Sequence, residues 1–537
     1  MLAIGLDGFE LSLGERLMAE GRMPHLAALR SRSARFRLDH GLDKYSGLTW
    51  EHVSSGIAPR DGGRWSAVAF DPRTYEARQE ATRARPFLAD LSDQAVVFDL
   101  PYCDLAAAPK VRGLTSWGAH DPGVAAFSRP AGLRDEMTRR FGPYPAEQWI
   151  YGFTWPSPAR TRTLGAALTR AVDVRAAAAE WLLAEAAPDW QLAMVVVSEA
   201  HSVSEPLWHG IDPSHRLHGL ASAAPAAAAL EAVYRAIDRL VGRLVEAFPA
   251  AEIAVFAMHG MGPNDADVAC MLLLPELLFR HAFGRPHLRE PRWRESLKDG
   301  TPLLAEDETW EQAVAAFVPP GFELSRWRRA AARLPWRRAS TRPAGLDYAN
   351  LSWMPATRYA AFWPSMPAFA LPSFYDGRIR INLAGRESRG VVTPRRYGAV
   401  RDEIVELLQA CRDPLSGEAV VERVHFPAGE PARLGPSEAD ISVIWRRAPL
   451  GLAHPRHGRI GPVPFRRTGG HTGDSGFLFA AGAEIAPGDC GWTSSFDVVP
   501  ALVRRAGPGL RARTSGAALD LPPASPAATE RRAASQR

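Results

Sequence analysis

The chain has 537 residues, 46% hydrophobic and 23% charged, which is ordinary globular usage and excludes wholesale disorder. Sixty-four Lys+Arg against 59 Asp+Glu leave a net charge of +5, too weak a bias over this length to imply a nucleic-acid partner. Cys103, Cys270, Cys411 and Cys490 form no CxxC pair, which argues against a disulfide framework and a zinc ribbon. The opening MLAIGLDGFE lacks the basic start and apolar core of a signal peptide. No apolar run approaches the roughly eighteen residues of a membrane span, so a cytoplasmic protein is expected.

Taken in chain order, short apolar runs mark buried strands: Leu2 to Leu6, Ala95 to Phe98, Leu192 to Val197, Ile253 to Ala257 and Phe477 to Ala481. Continuous runs of this length suit a sheet covered on both faces. Helices are expected between them, over Ala166 to Ala187, over Ala226 to Phe248 opening just after Pro225, and from near Ser495 to Arg505. Gly377 to Asn382 alternates as a half-buried strand should. The alternation of strand and helix predicts an α/β fold, a three-layer sandwich around a largely parallel sheet. Residues 285–374 lose periodicity and are expected to form a cap insertion between 1–284 and 375–520. The stretch 521–537 has almost no apolar content beyond Ala and is expected to be disordered.

In such sheets ligands bind beyond the carboxyl ends of the strands, where Asp7, His201 and His259 fall. Asp7-Gly8 reads equally as a turn. Ser46-Gly47, ahead of a stretch able to start a helix, could aim a hydroxyl and a backbone N–H at an anion, or could be a helix cap. His201 and Glu205, four residues apart, could share a metal ion from one helical face or form a surface pair. His471 lies in the Gly-rich loop Gly470 to Gly476. His120, in Trp117 to Asp121, and Arg386 are candidate substrate contacts. For Arg378 to Glu387 the plainer reading is a charged strand exterior. Arg326 to Arg337 reads as a solvated helix face.

Together these segments resemble the alkaline phosphatase superfamily, and within it the type I phosphodiesterase/nucleotide pyrophosphatase branch. Asp7-Gly8, Ser46 to Gly56, Ser198 to His209, His259-Gly-Met-Gly and Gly470-His471 stand in the family's order. Gly21-Arg-Met-Pro-His-Leu-Ala-Ala-Leu29 and Ser495-Phe-Asp-Val-Val-Pro500-Ala-Leu support the resemblance. It implies a hydrolase of small phosphate esters, with sulfate or phosphonate esters as alternatives, acting through a phosphoryl-Ser46 intermediate. It also implies divalent metal, zinc by preference or manganese, with Asp7, Ser46 and His259 on one ion and His201, Glu205 and His471 on another. Met258 stands where the family has an Asp ligand, and a thioether cannot replace a carboxylate for these metals; His201 and Glu205 stand where it has an Asp and a His, and both remain ligand-competent types. Asp265 or Asp267 could compensate. One ion, or none in a degenerate ligand-binding member, is the alternative this departure opens.

Overall fold

The computed structural model describes residues 1–524 except 83, 92–93, 152–156, 295–296, 299–300, 307, 320–350 and 508–511. Nine strands form the central sheet: β1 (Leu2–Leu6), β2 (Ala34–Asp39), β3 (Ala95–Phe98), β4 (Arg112–Thr115), β5 (Phe127–Arg129), β6 (Leu192–Val197), β7 (Ile253–Ala257), β8 (Gly476–Ala481) and β9 (Gly488–Ser494). Their order is β9-β2-β8-β7-β1-β6-β3-β4-β5. The middle of the sheet, β7-β1-β6-β3-β4, is parallel throughout. β8 runs antiparallel to both of its neighbours, and β5 antiparallel to β4.

Both faces are covered, which is why these strands read as unbroken apolar runs. On one face Ile4, Val195, Val197 and Val255 pack against α2 (Pro158–Trp181) and α4 (Ala223–Ala247). On the other, Ala3, Met194, Val196 and Phe256 meet Trp50 and Val53 of α1 (Thr49–Ser55) and Val498 and Leu502 of α5 (Val498–Ala506). The expected α/β sandwich is therefore present. Helix α3 (Glu199–Leu207) follows β6 directly.

Helix ends differ from expectation where a cap decides them. α2 starts at Pro158 because Ser157 accepts a hydrogen bond from the Arg160 N–H and proline suits a first helical position. α4 takes Pro225 into its first turn, where no intrahelical N–H is needed. The two helices approach closely: a Cβ on Gly165 would lie 2.4 Å from that of Ala229.

A second, antiparallel sheet pairs Ala368–Leu371, Gly377–Ile381, Ile441–Trp445 and Val421–His425 in that order. The expected cap boundary at 374/375 falls between its first two strands. Gly377–Ile381 is buried at every position, so the half-exposed reading is corrected. Arg378 pairs with Asp376 at 3.0 Å and Arg380 with Glu387 at 2.8 Å; burial with a carboxylate, not solvent, accommodates their charge. Residues 326–333 and 334–337 of the basic run lie outside the described residues, as does 525–537 of the tail. Among the described residues no helix is long and apolar enough to cross a membrane.

Candidate active site

Three neighbouring parallel strands deliver the core of the site. β1 ends in Asp7, β6 runs into α3 with His201 and Glu205, and β7 ends in Met258-His259. Gly8 is required between them. Its φ is +66°, and a Cβ there would stand 2.7 Å from the His201 Cα. Only glycine lets the β1 loop pass this close to α3.

His201 and Glu205 share a helical face, as their spacing predicts. They are buried, with His201 Nε2 3.2 Å from Glu205 Oε1. On the other side of the ring, His201 Nδ1 lies 3.0 Å from Asp7 Oδ2. His259 Nδ1 lies 3.0 Å from the Gly260 carbonyl oxygen, a contact that fixes Nδ1 as the donor and leaves Nε2 with its lone pair. A short antiparallel pairing of Gly262–Pro263 with Gly469–Gly470 brings His471 in. Its Nε2 is 3.0 Å from His201 Nε2, and its ring stacks on Tyr375 with centroids 4.0 Å apart.

His120 comes from the loop after β4. Its ring stacks on His201, centroids 3.8 Å apart. Its Nδ1 meets Ser202 Oγ at 3.2 Å. Its Nε2 is buried without a hydrogen-bond partner among the described residues, 3.5 Å from Glu205 Oε2 and 3.8 Å from Asp121 Oδ2. The loop is held by Asp99, whose carboxylate accepts the Trp117 and Gly118 N–H groups at 2.8 and 2.9 Å. Sequence reading gave His120 a substrate role. The structure puts it in one group with His201 and Glu205, their donor atoms all within 4.8 Å of one another.

Ser46 closes a 3₁₀ turn, Gly41–Ser46, and is buried. Its hydroxyl donates to the Asp43 carbonyl oxygen at 2.7 Å and accepts from the Leu48 N–H at 3.1 Å. The Trp50 indole bonds the Asp7 carboxylate, tying α1 to the end of β1. Arg386 is not brought to the cluster: its guanidinium is taken up by Asp440, Glu387 and the Pro431 and Ile381 carbonyl oxygens. Arg467, unread in the sequence, bonds Glu205 Oε1 and forms a two-pronged pair with Asp267 at 2.7 and 3.1 Å. The Arg466-Arg467 doublet just before the Gly-rich loop was the available signal.

Burial disfavours every charge in this cluster, and the partners decide which survive. Burial raises the Asp7 carboxyl, but the His201 imidazole more than offsets this and leaves it below its ordinary value. Burial likewise opposes the Glu205 charge, and Arg467, His120 and His201 together hold its carboxyl well below the usual range. Against burial, Asp7 and Glu205 push His201 up to about 10. Burial dominates for the others: His259 falls to about 4, and His120 and His471 also fall. Neutral imidazoles are the form that ligates metal, so His120, His259 and His471 stand ready, whereas His201 must release its Nε2 proton on binding an ion.

Comparison with known proteins names the family. Its description, type I phosphodiesterase / nucleotide pyrophosphatase, matches residues 1–289. The chain belongs to this family. The match takes in Asp7, Ser46, His120, His201, Glu205 and His259; His471 lies beyond it. No curated protein matches the chain. Among solved structures, phosphonoacetate hydrolase from Sinorhizobium meliloti 1021, with phosphonoformate or with phosphonoacetate, is similar at 15% identity and TM-score 0.51, over 94% of this chain and 95% of that one. Murine ectonucleotide pyrophosphatase / phosphodiesterase 5 in complex with AMP gives 10% identity and TM-score 0.45, over 96% of this chain and 97% of that one.

The two ion sites implied by the family resemblance fare differently here. His201 and Glu205 supply imidazole and carboxylate donors within one close group, so this half fits a divalent ion. The other half does not. Met258 offers a thioether, Asp7 is engaged by His201, and the Ser46 hydroxyl proton is held by the Asp43 carbonyl oxygen, which leaves His259, with its Nε2 lone pair, as the remaining donor. Neither nearby acid makes up the loss. Asp267 is tied to Arg466 and Arg467. Asp265 bonds the Ala448 backbone and feels Glu422 and Asp212.

Proposed function

We propose that this chain hydrolyses a small phosphate or phosphonate ester, with Ser46 as nucleophile. The observation that carries the reading is the convergence of Asp7, His201, Glu205 and His259, with His120 and His471, at the carboxyl ends of three adjacent parallel strands in a phosphodiesterase-family fold. Ser46 Oγ would bond to phosphorus as the phosphorus–leaving-group bond breaks, its proton passing to solvent and the leaving group departing in line. Water would then cleave the Oγ–phosphorus bond and return the serine. Splitting one displacement into two lowers each barrier. His201 and Glu205 would hold a divalent ion, zinc in our reading, which would supply charge neutralisation and Lewis-acid polarisation when bound. The chain's own groups orient that chemistry: Trp50, on the helix that follows the nucleophile's turn, bonds Asp7, Asp7 in turn holds His201, and Tyr375 stacks on the His471 ring. Four free cysteines agree with a cytoplasmic enzyme.

A second reading, a ligand-binding protein without turnover, is favoured by one observation, Met258 beside an Asp7 already taken by His201. The experiment that separates the two is hydrolysis of a panel of p-nitrophenyl phosphate monoester, phosphodiester, phosphonate ester and sulfate by the zinc-supplemented chain and its Ser46→Ala variant. Release of nitrophenolate that disappears in Ser46→Ala supports the hydrolase. Release unaffected by the substitution overturns Ser46. Phosphate-ester binding without release supports the second reading.

A further inference from the structure

Two ring nitrogens of this cluster, His471 Nδ1 and His120 Nε2, are buried without a hydrogen bond among the described residues, and of the two it is His120 Nε2 that lies against a carboxylate. It faces Glu205 Oε2 at 3.5 Å. Glu205 Oε1 is already claimed by Arg467 and lies 3.2 Å from His201 Nε2, so Oε2 is the oxygen left to meet His120. Ligands at about 2.0–2.1 Å from a tetrahedral ion stand about 3.3–3.4 Å from each other. His120 Nε2 and Glu205 Oε2, at 3.5 Å, stand close to that value, and the donor atoms of His120, His201 and Glu205 all lie within 4.8 Å of one another.

Each ring is also braced from behind. His120 Nδ1 meets Ser202 Oγ at 3.2 Å and His201 Nδ1 meets Asp7 Oδ2 at 3.0 Å. Such contacts on the far nitrogen set the tautomer and aim of a metal-bound imidazole. Asp7 therefore occupies the place of a carboxylate behind a ligating histidine, not that of a ligand. The group that would form a second ion site around it is reduced to His259 and a hydroxyl.

We infer that the chain holds a single divalent ion on His120 Nε2, His201 Nε2 and Glu205 Oε2, with Asp7 as a positioning residue behind His201 and no second ion. Two imidazoles and one carboxylate is a ligand set that leaves a fourth position for substrate or water, and His471, 3.0 Å from His201 Nε2, borders that position. The inference rests on the metal-dependent part of the hydrolase reading, yet it is read without turnover.

The test loads the full chain with cobalt(II) alone and measures bound cobalt per chain by elemental analysis, together with the visible d–d spectrum. One ion per chain is expected. Asp7→Asn should still bind one ion with the same band shape, about 10- to 100-fold more weakly. His120→Ala should lose the spectrum at concentrations that saturate the parent. Should His120→Ala fold poorly, His120→Cys decides the matter: a thiolate-to-cobalt charge-transfer band in the near ultraviolet marks ligation from that position. Two ions per chain, one of them lost in Asp7→Asn, would overturn the inference, as would no cobalt binding at all. So would His120→Ala with unchanged affinity, or His120→Cys without the band. One ion without hydrolysis of any ester would keep this inference and remove the hydrolase reading; hydrolysis with two ions would do the reverse.

Discussion

Arg175 is the sharpest test of how the site is held. It sits on α2, fully buried, and its guanidinium reaches Asp99 at 2.8 Å, Glu199 at 2.9 Å and the Val196 carbonyl oxygen at 3.0 Å. Its flat face lies over the Phe98 and Trp117 rings. Asp99 clamps the loop that carries His120, and Glu199 opens the helix that carries His201 and Glu205. One cation thus ties together the two segments that carry His120, His201 and Glu205. Replacing it with the similarly sized Met leaves Glu199 and Asp99 at 0% exposure, Glu199 without the cation that bonds it and Asp99, among the described residues, with only the more distant charge of Arg134. The Trp117 and Gly118 N–H groups and the Tyr144 hydroxyl, 3.1 Å from Glu199, satisfy some lone pairs but not the charge. Breaking a buried pair in this way costs about 3–5 kcal/mol.

The assay is urea unfolding of the parent and Arg175→Met, with Arg175→Met/Glu199→Gln as the rescue. Removing one orphaned charge should recover a large part of the loss, because contacting sites are not additive. Arg175→Lys should behave nearly like Met, since an ammonium cannot span two carboxylates and a carbonyl in one plane. A loss below about 1 kcal/mol in Arg175→Met, or no rescue by Glu199→Gln, would refute the reasoning. The first would mean that the network is not needed. The second would mean that the damage is steric.

Three further outcomes follow from the same structure. Thr49 carries a buried hydroxyl without a hydrogen-bond partner among the described residues, so Thr49→Ala should leave stability nearly unchanged and keep most ester hydrolysis; loss in Thr49→Ala with activity in Ser46→Ala would place the nucleophile at Thr49. Burial, with Glu422 and Asp212 nearby, pushes Asp265 up to about 7 from an ordinary 3.8. A raised carboxyl favours the folded chain below the unfolded value and loses that advantage as pH rises towards the folded one. Asp265→Asn should therefore gain on the parent between about pH 4 and pH 7, and parallel urea midpoints at pH 5 and pH 8 would contradict this. Gly8→Ala must fit a Cβ 2.7 Å from the His201 Cα at φ +66°; it should cost about 1–3 kcal/mol and lower cobalt uptake, and a variant equal to the parent in both would show that α3 can shift freely.

Local chemistry was readable in the sequence, and long-range delivery was not. Buried strands announce themselves because a strand covered on both faces has no polar side to show, so Asp7, His201 and His259 could be placed at strand ends before any coordinates. His201 and Glu205 could be paired because four residues along a helix is a local distance. His120 had no such signature. Its position depends on Asp99, 21 residues earlier in sequence, gripping two amides of its loop, and on Arg175 gripping Asp99 in turn. Arg378 and Arg380 misled for the opposite reason. An alternating Arg pattern has the period of a solvent-facing strand, and only their partners, Asp376 and Glu387, make burial tolerable.

The same distinction bears on the departures from the family pattern at 258 and 201. Met258 in place of a carboxylate removes negative charge beside Asp7, and His201 in the position of an acid adds an imidazole next to it. Read singly, the first weakens one site of a two-ion centre and the second is tolerable in the other. In three dimensions they answer each other: the imidazole takes up the Asp7 carboxylate through Nδ1 and turns Nε2 towards Glu205. With an acid restored at 258 alone, two carboxylates would compete for one imidazole in a site already short of cations. With an acid at 201 alone, Asp7 would lose its donor. The two departures therefore read as one rearrangement of the centre, and the number of ions bound is the quantity that distinguishes rearrangement from decay.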